Sequence, residues 1–343
     1  MTERWRNSLL FAGMAALLVA VGVFQSSNLA LAILNLCLIS AIMTLGVNIQ
    51  WGYAGLFNAG VMGFTALGGL AAVIISVPPV TEAWTAGGVR AVSGLCLGVL
   101  AIALGILTWK KLALNKTARG WASALIVVIG VVVMRWVIDP AVEAIEAVEP
   151  AKTGFLGGFG LPIMFAWMAG GALAALAAWA IGKISLGLRS DYLAIATLGI
   201  SEIIIYILKN EDWLARGVKN VNGLSRPVPY EIELQSTLWV QSLASRIDIN
   251  LIELSSIIVK LCYAGLFVVV LALIYWLSER ALRSPWGRMM RAIRDNEIAA
   301  GSRGVNRIKY QLIVFTVSGI FTGLAGGVFA GLQTTMGPNV LSL

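Results

Sequence analysis

Residues 257–277 read IIVKLCYAGLFVVVLALIYWL. The run carries one charge, Lys260. At 1.5 Å per residue a helix of this length reaches about 30 Å, the thickness of a bilayer's hydrocarbon core. Lys260 stands near one end, where a long side chain extends its ammonium to the interface.

Working outward, eight further stretches have the same character: Leu9–Phe24, Leu29–Gln50, Leu56–Val77, Val89–Trp109, Trp121–Ile138, Leu161–Ile181, Tyr192–Leu208 and Tyr310–Gln333. Nine spans are therefore expected, in one transmembrane domain over residues 1–343. Composition agrees, since 59% of the 343 residues are hydrophobic and 12% charged, against about 25% charged in a soluble domain. The expected fold class is all-α, a polytopic helical membrane protein. The first stretch, preceded by Arg4 and Arg6 and followed by an A-x-A match at Ala30–Ala32, has features of a secretory signal. Cleavage there would start the mature chain inside the next apolar run, so an uncleaved first helix is expected.

The 25 Lys and Arg sort the loops. With the amino terminus inside, 16 fall in inner segments: Arg4 and Arg6; Lys110, Lys111, Lys116 and Arg119; Lys183 and Arg189; and eight from Arg280 to Lys309. Seven fall outside, Arg90, Lys152, Lys209, Arg216, Lys219, Arg226 and Arg246, five of them in one long loop where charge bias has little force. Arg135 and Lys260 lie within spans near their outer ends. The amino terminus and the segment 278–309 are thus expected in the cytoplasm, and the loop 209–256 on the outer side, where it offers a docking surface. The acidic repeat Glu143, Glu146, Glu149 reads as a solvated outer loop.

Several chemistries are excluded. The chain has no histidine, which removes Ser-His-Asp and Cys-His pairs and HExxH zinc sites. Cys37, Cys96 and Cys262 are isolated in apolar runs, without metal or disulfide spacing. Gly182-Lys183 is followed by Ile184, so no phosphate loop forms. The net charge of +8 sits in short loops and not on a basic stacking face, which argues against nucleic acid. No catalytic residue, metal site or cofactor is expected in this chain.

Glu202 is the most unusual single residue, about 15 Å along its span. A carboxylate there costs a few kcal/mol unless it faces protein or water. It reads either as lining a substrate or proton path, or as a buried structural acid, protonated or bonded to a neighbouring helix through Tyr206 one turn on; both residues are path candidates. The run Asn48–Gly60, NIQWGYAGLFNAG, places Asn48, Asn58 and several glycines near membrane depth. It reads either as a broken helix with backbone groups open to a polar ligand or as a tight turn. Gly319, Gly323, Gly327 and Gly331 form a stripe for close helix approach, within a bundle or at a subunit interface, and Gly94 and Gly98 repeat the device.

In the inner segment, Met289, Ala292, Ile293, Asn296, Ala299 and Ala300 share one helical face, with arginines opposite. Ser284–Asn306, SPWGRMMRAIRDNEIAAGSRGVN, resembles the coupling segment of ABC importer permeases, whose Glu, two Ala and Gly fall on Glu297, Ala299, Ala300 and Gly304. More narrowly it is similar to M-type (LivM-like) subunits of the branched-chain amino acid ABC importer permease family, where S-P-x-G-R-x-x-x-A-I-R-x-N-E-x-A-A is typical. Ser190–Ile203 (SDYLAIATLGISEI), Gly323–Ala330 (GLAGGVFA), Gly52–Gly63 and Asn222-Gly223-Leu224 agree in the family's order.

The resemblance implies a second, H-type permease subunit, two ATP-binding subunits that bind ATP and Mg²⁺, a periplasmic substrate-binding protein, and a place in the bacterial inner membrane. It implies a coupling helix from about Gly287 to Arg303, with Arg291, Arg294 and Glu297 in polar contact with an ATPase and Ala299 and Ala300 in close packing. Branched-chain amino acids are the implied substrates, with urea or short amides as the alternative. A secondary transporter coupled to an ion gradient is the rival class. Relatives carry an acid at the place of Glu202 and often a polar residue at that of Val61. Residues 81–160 read as an expansion beyond the common core, and a tenth, Gly-rich span is expected past Leu343.

Overall fold

The structure, a computed structural model, describes residues 3–111, 115–149 and 154–336. Lys152 and the tenth span expected past Leu343 lie outside the described residues. The helices are α1 (Glu3–Phe24), α2 (Ser27–Asn48), α3 (Val61–Ser76), α4 (Thr81–Ala83), α5 (Val89–Lys111), α6 (Lys116–Glu146), α7 (Ile163–Ser185) and α8 (Ser190–Asn210). They continue as α9 (Asp212–Ala215), α10 (Glu231–Ser236), α11 (Leu238–Ile247), α12 (Leu251–Arg283), α13 (Pro285–Asp295), α14 (Glu297–Ser302) and α15 (Arg307–Gln333). Two short strands, β1 (Val221–Asn222) and β2 (Thr335–Met336), pair antiparallel, Val221 opposite Met336.

Among the described residues, eight helical stretches are long and apolar enough to cross a membrane. The third expected span, Leu56–Val77, is corrected. Residues 54–60 are not helical, and α3 holds 16 residues, about 24 Å. Eleven of those 16 are buried, because α3 packs on α7, α15 and α8. Protein and not lipid surrounds it, so no bilayer thickness fixes its length, and irregular backbone beside it is tolerated.

Two other boundaries move. α6 runs through Pro140 to Glu146, so Glu143 and Glu146 sit on its last turns and not on a loop. Ile138, Ala141 and Ile145 are buried there, and Ala141 and Ile145 join Ala83, Ala91, Leu156 and Trp213 in a small apolar cluster that holds the helix past its proline. The single coupling helix expected from Gly287 to Arg303 is two helices, α13 and α14, broken at Asn296. Asn296 is extended (φ −157°, ψ 101°), and its Oδ1 accepts from the N–H groups of Ile298 and Ala299. Asparagine caps a new helix more favourably than it continues an old one.

The core is centred on α15, which packs on α7 and α3. A Cβ at Gly323 would strike Ala174 Cβ and the Gly170 carbonyl, one at Gly326 the Thr65 carbonyl, and one at Gly68 the Gly323 carbonyl. Three backbones thus meet where only glycine fits. α12 joins through Tyr263, whose hydroxyl donates to the Gly331 carbonyl at 3.1 Å. Lys260 clamps α12 to α2: its ammonium donates to the carbonyl and Oδ1 of Asn28, at 3.0 and 3.1 Å.

The connections gather at two ends. At one, Ala54–Leu56, Leu186–Arg189 and Ile293–Ile298 line a common cleft. At the other, Val80 N–H donates to Leu156, Leu156 N–H to Trp213, and Gly160 N–H to Val77, and β1 and β2 tie the 209–256 segment to the end of α15.

Candidate functional site

α2 does not end at Asn48 but continues as a π-helical turn, Ile49–Tyr53. The chain turns at Gly55, whose φ of +68° suits glycine, and runs non-helically to α3. Gln50 and Asn58 are both buried, and Asn58 Nδ2 donates to Gln50 Oε1 at 3.3 Å. The N–H groups before and at the start of α3 would lack partners. Here Gly60 N–H donates to Asn58 Oδ1 (2.8 Å), Ala59 N–H to Thr197 Oγ1 (3.2 Å) and Gly63 N–H to Ser201 Oγ (2.8 Å). The run Asn48–Gly60 is therefore a broken helix and not a tight turn, and two hydroxyls of α8 hold its far side.

α8 has two unlike faces. Leu193, Thr197, Ser201, Ile205 and Leu208 are buried. Glu202 and Tyr206 lie on the exposed face and line a shallow groove with Ile203, Ile205 and Lys209. The reading of Glu202 as a buried acid bonded to a neighbouring helix is corrected, because the residue points away from α3, α7 and the core. Asn48 lies elsewhere again, exposed beside Ser40 and Thr44 in a groove between α2 and α12. Asn48, Asn58 and the Glu202–Tyr206 pair therefore occupy three places and do not form one site.

The inner segment is amphipathic, but its faces differ from the expected ones. Gly287, Met290 and Ile293 of α13 and Ala300 of α14 are buried, while Ala292 and Ala299 are exposed. Arg291 is exposed, its Nε 3.4 Å from the Gly287 carbonyl. Arg294 turns onto its own chain, Nη1 donating to the Gly52 carbonyl at 2.7 Å. Glu297 pairs with Arg307 at 2.7 Å, fastening α14 to α15. Gly304, at φ +83°, makes the turn between them. Ile298, 81% exposed, is the large apolar side chain that α14 presents outward, beside Ala299.

The glycine stripe of α15 faces α7: Gly319 meets Ala178, Gly323 meets Ala174, and Gly327 and Gly331 meet Trp167 and Ile163. Gln50, Thr197 and Ser201 escaped the sequence reading. The available signal was Thr197 and Ser201, two hydroxyls one turn apart on an apolar helix, which in a membrane need an acceptor or donor from a neighbour.

The profile of a known family, described as the permease component of the branched-chain amino acid transport system, matches residues 29–342. The high-affinity branched-chain amino acid transport system permease protein LivM of Escherichia coli strain K12 is 33% identical over 172 residues, 49% of this chain and 40% of that protein. LivM of Salmonella typhimurium strain LT2 is 32% identical over the same length. The guanosine ABC transporter permease protein NupQ of Bacillus subtilis strain 168 is 34% identical over 68 residues, 20% of this chain and 21% of that one. The matched region thus spans about two fifths of the LivM relatives' length. No solved structure matches. With eight candidate membrane spans and a profile match over nearly its whole length, the chain belongs to the family of branched-chain amino acid transport system permease components.

Proposed function

We propose that the chain is one of two permease subunits of an ATP-driven importer for branched-chain or related amino acids, in the bacterial inner membrane with its amino terminus in the cytoplasm. The observation that supports this most directly is the family match over residues 29–342, and beside it stands Glu202 on an exposed face of a candidate membrane span. A carboxylate turned to lipid would cost several kcal/mol. The face is accounted for if it meets water and a second, H-type permease subunit, with the substrate passing between them along Glu202 and Tyr206.

Partner ATPases bind ATP and Mg²⁺ and press on α13 and α14 from the cytoplasm, with Ile298 and Ala299 as the contact. The segment 209–256, which exposes Ile232, Leu238 and Trp239, receives a periplasmic substrate-binding protein. This chain supplies no catalytic group. Its part is alternating access, driven by rigid-body movement of the inner segment.

Co-expression with the second permease, the ATPases and the binding protein tests the reading. The two permeases and the ATPases are expected to co-purify, and proteoliposomes supplied with the binding protein to accumulate labelled leucine only with ATP. Ile298→Asp places a charge in the ATPase contact and is expected to lower uptake at least about tenfold while insertion persists. Ala300→Glu is the harsher probe, because Ala300 is buried. Uptake driven by an ion gradient, with no ATPase present, would establish the secondary-transporter reading instead. The similarity to a guanosine permease favours a second substrate class, nucleosides. Competition of leucine uptake by guanosine, or by urea and short amides, separates these substrates.

A further inference from the structure

Arg294 occupies an unusual position: it is the last arginine of α13, yet its guanidinium is spent on the broken helix of the membrane domain. Nη1 donates to the Gly52 carbonyl at 2.7 Å, while Nε and Nη2 donate to Asp295 Oδ1 at 3.1 and 3.0 Å. The carboxylate thus fixes the plane of the guanidinium, and the free edge meets a carbonyl at the negative end of a helix, where a cation is favoured. Gly55 completes the contact, since a Cβ there would lie 2.8 Å from Arg294 Cγ.

What lies beyond Gly52 is closely held. Gly55 N–H donates to Trp51 and Leu56 N–H to Gln50. Asn58 joins Gln50 to Gly60, and Thr197 and Ser201 join α3 to the buried face of α8. The backbone of residues 50–60 and hydrogen bonds shorter than 3.4 Å therefore connect the tip of α13 to the helix whose exposed face carries Glu202. Beside the contact, between Arg294, Leu186–Arg189 and Arg307, is a cleft of about 520 Å³.

We propose that Arg294 is a positioning residue for energy coupling: it carries displacement of α13 to the Gly52–Gly60 segment, and through Asn58, Thr197 and Ser201 to α3 and α8. It acts within this chain and not as an ATPase contact. The proposal rests on the importer reading above, and the wild-type protein tests that reading first, by ATPase co-purification and ATP-dependent uptake.

The experiment uses the complete transporter with Phe57→Cys, on the non-helical segment, in a background lacking the native cysteines. In the parent, the rate of maleimide labelling at position 57 is expected to differ between ATP-bound and nucleotide-free states. Arg294→Gln should remove that difference and lower leucine transported per ATP hydrolysed at least about fivefold, with ATPase co-purification at the parent ratio. Arg294→Lys, which still reaches the carbonyl, should restore most of both. Asp295→Asn, which loosens only the orientation, should give a partial loss and serves if Arg294→Gln fails to accumulate. The proposal is overturned if Arg294→Gln keeps the ATP-dependent labelling difference, if transport per ATP is unchanged, or if the ATPases no longer co-purify.

Discussion

Two helix pairs in this protein are built on the same device, and only one is enclosed. In α5, Gly94, Gly98 and Gly105 face Ile138, Met134 and Val127 of α6; in α15, Gly319 and Gly323 face Ala178 and Ala174 of α7. Yet 67% of the most apolar 18 residues of α15 are buried, against 28% for the α5 stretch and 6% for α6. The difference lies in the second face. α15 carries a further small position, Gly326, against the backbone of α3, so it has protein on two sides. α5 and α6 pack chiefly on each other and join the remainder through the small cluster around Ala83, Leu156 and Trp213. A glycine stripe sets how closely two helices approach. How many neighbours a helix has decides whether it is core.

The largest expected effect breaks the enclosed pair. Gly323→Val drives side-chain atoms into the Gly170 carbonyl and Ala174, neither of which can swing away, and should cost more than about 3 kcal/mol. Folded protein recovered in mild detergent is expected to fall to background; recovery at the parent level would remove α15 from its place as core.

Next is the junction between α3 and α8. Ser201→Ala leaves the Gly63 N–H buried without a partner, at about 2 kcal/mol. Tryptophan fluorescence should register a lower unfolding temperature in detergent, and Ser201→Thr, which keeps the hydroxyl, should recover part of it. An unchanged transition for the alanine variant would mean that this bond does not hold α3.

A smaller loss follows from the clamp between α2 and α12. Lys260→Met removes both bonds to Asn28, and interhelical hydrogen bonds in membranes contribute about 1 kcal/mol or less. The same thermal assay resolves this loss if the clamp contributes at all.

The smallest effect belongs to the peripheral pair. At Gly98 a methyl would meet Met134 Sδ, in the outer part of a flexible side chain and not backbone, and alanine is a better helix former by about 1 kcal/mol. Gly98→Ala should leave stability level or slightly raised. A loss as large as that at Gly323 would show that the hairpin is held as rigidly as the core.

Much of the fold was legible in the sequence. Ile257–Leu277 lies within α12, Val89–Trp109 within α5 and Tyr310–Gln333 within α15, because apolarity over about 20 residues is a local property. Of the candidate site, the family resemblance at Glu297–Gly304 and the unusual Glu202 stood out in the sequence, since charge and motif contrast with an apolar background. The outward direction of Glu202, the break at Asn296 and the inward turn of Arg294 were not. Each depends on what stands opposite: Ser201 is drawn to Gly63, 138 positions away, and Arg294 to Gly52, 242 positions away.

The sequence by itself determined the solvent of this protein and most of its spans, because partition into a bilayer sums contributions that each residue carries alone. Only the tertiary structure decided that Leu56–Val77 holds a short enclosed helix, and that of Ser201 and Glu202, adjacent in the chain, Ser201 faces the core and Glu202 the exterior. Enclosure and orientation depend on partners brought from distant parts of the chain. Gly68 and Gly323 meet because two backbones need the same space, and no stretch of either helix states that need alone.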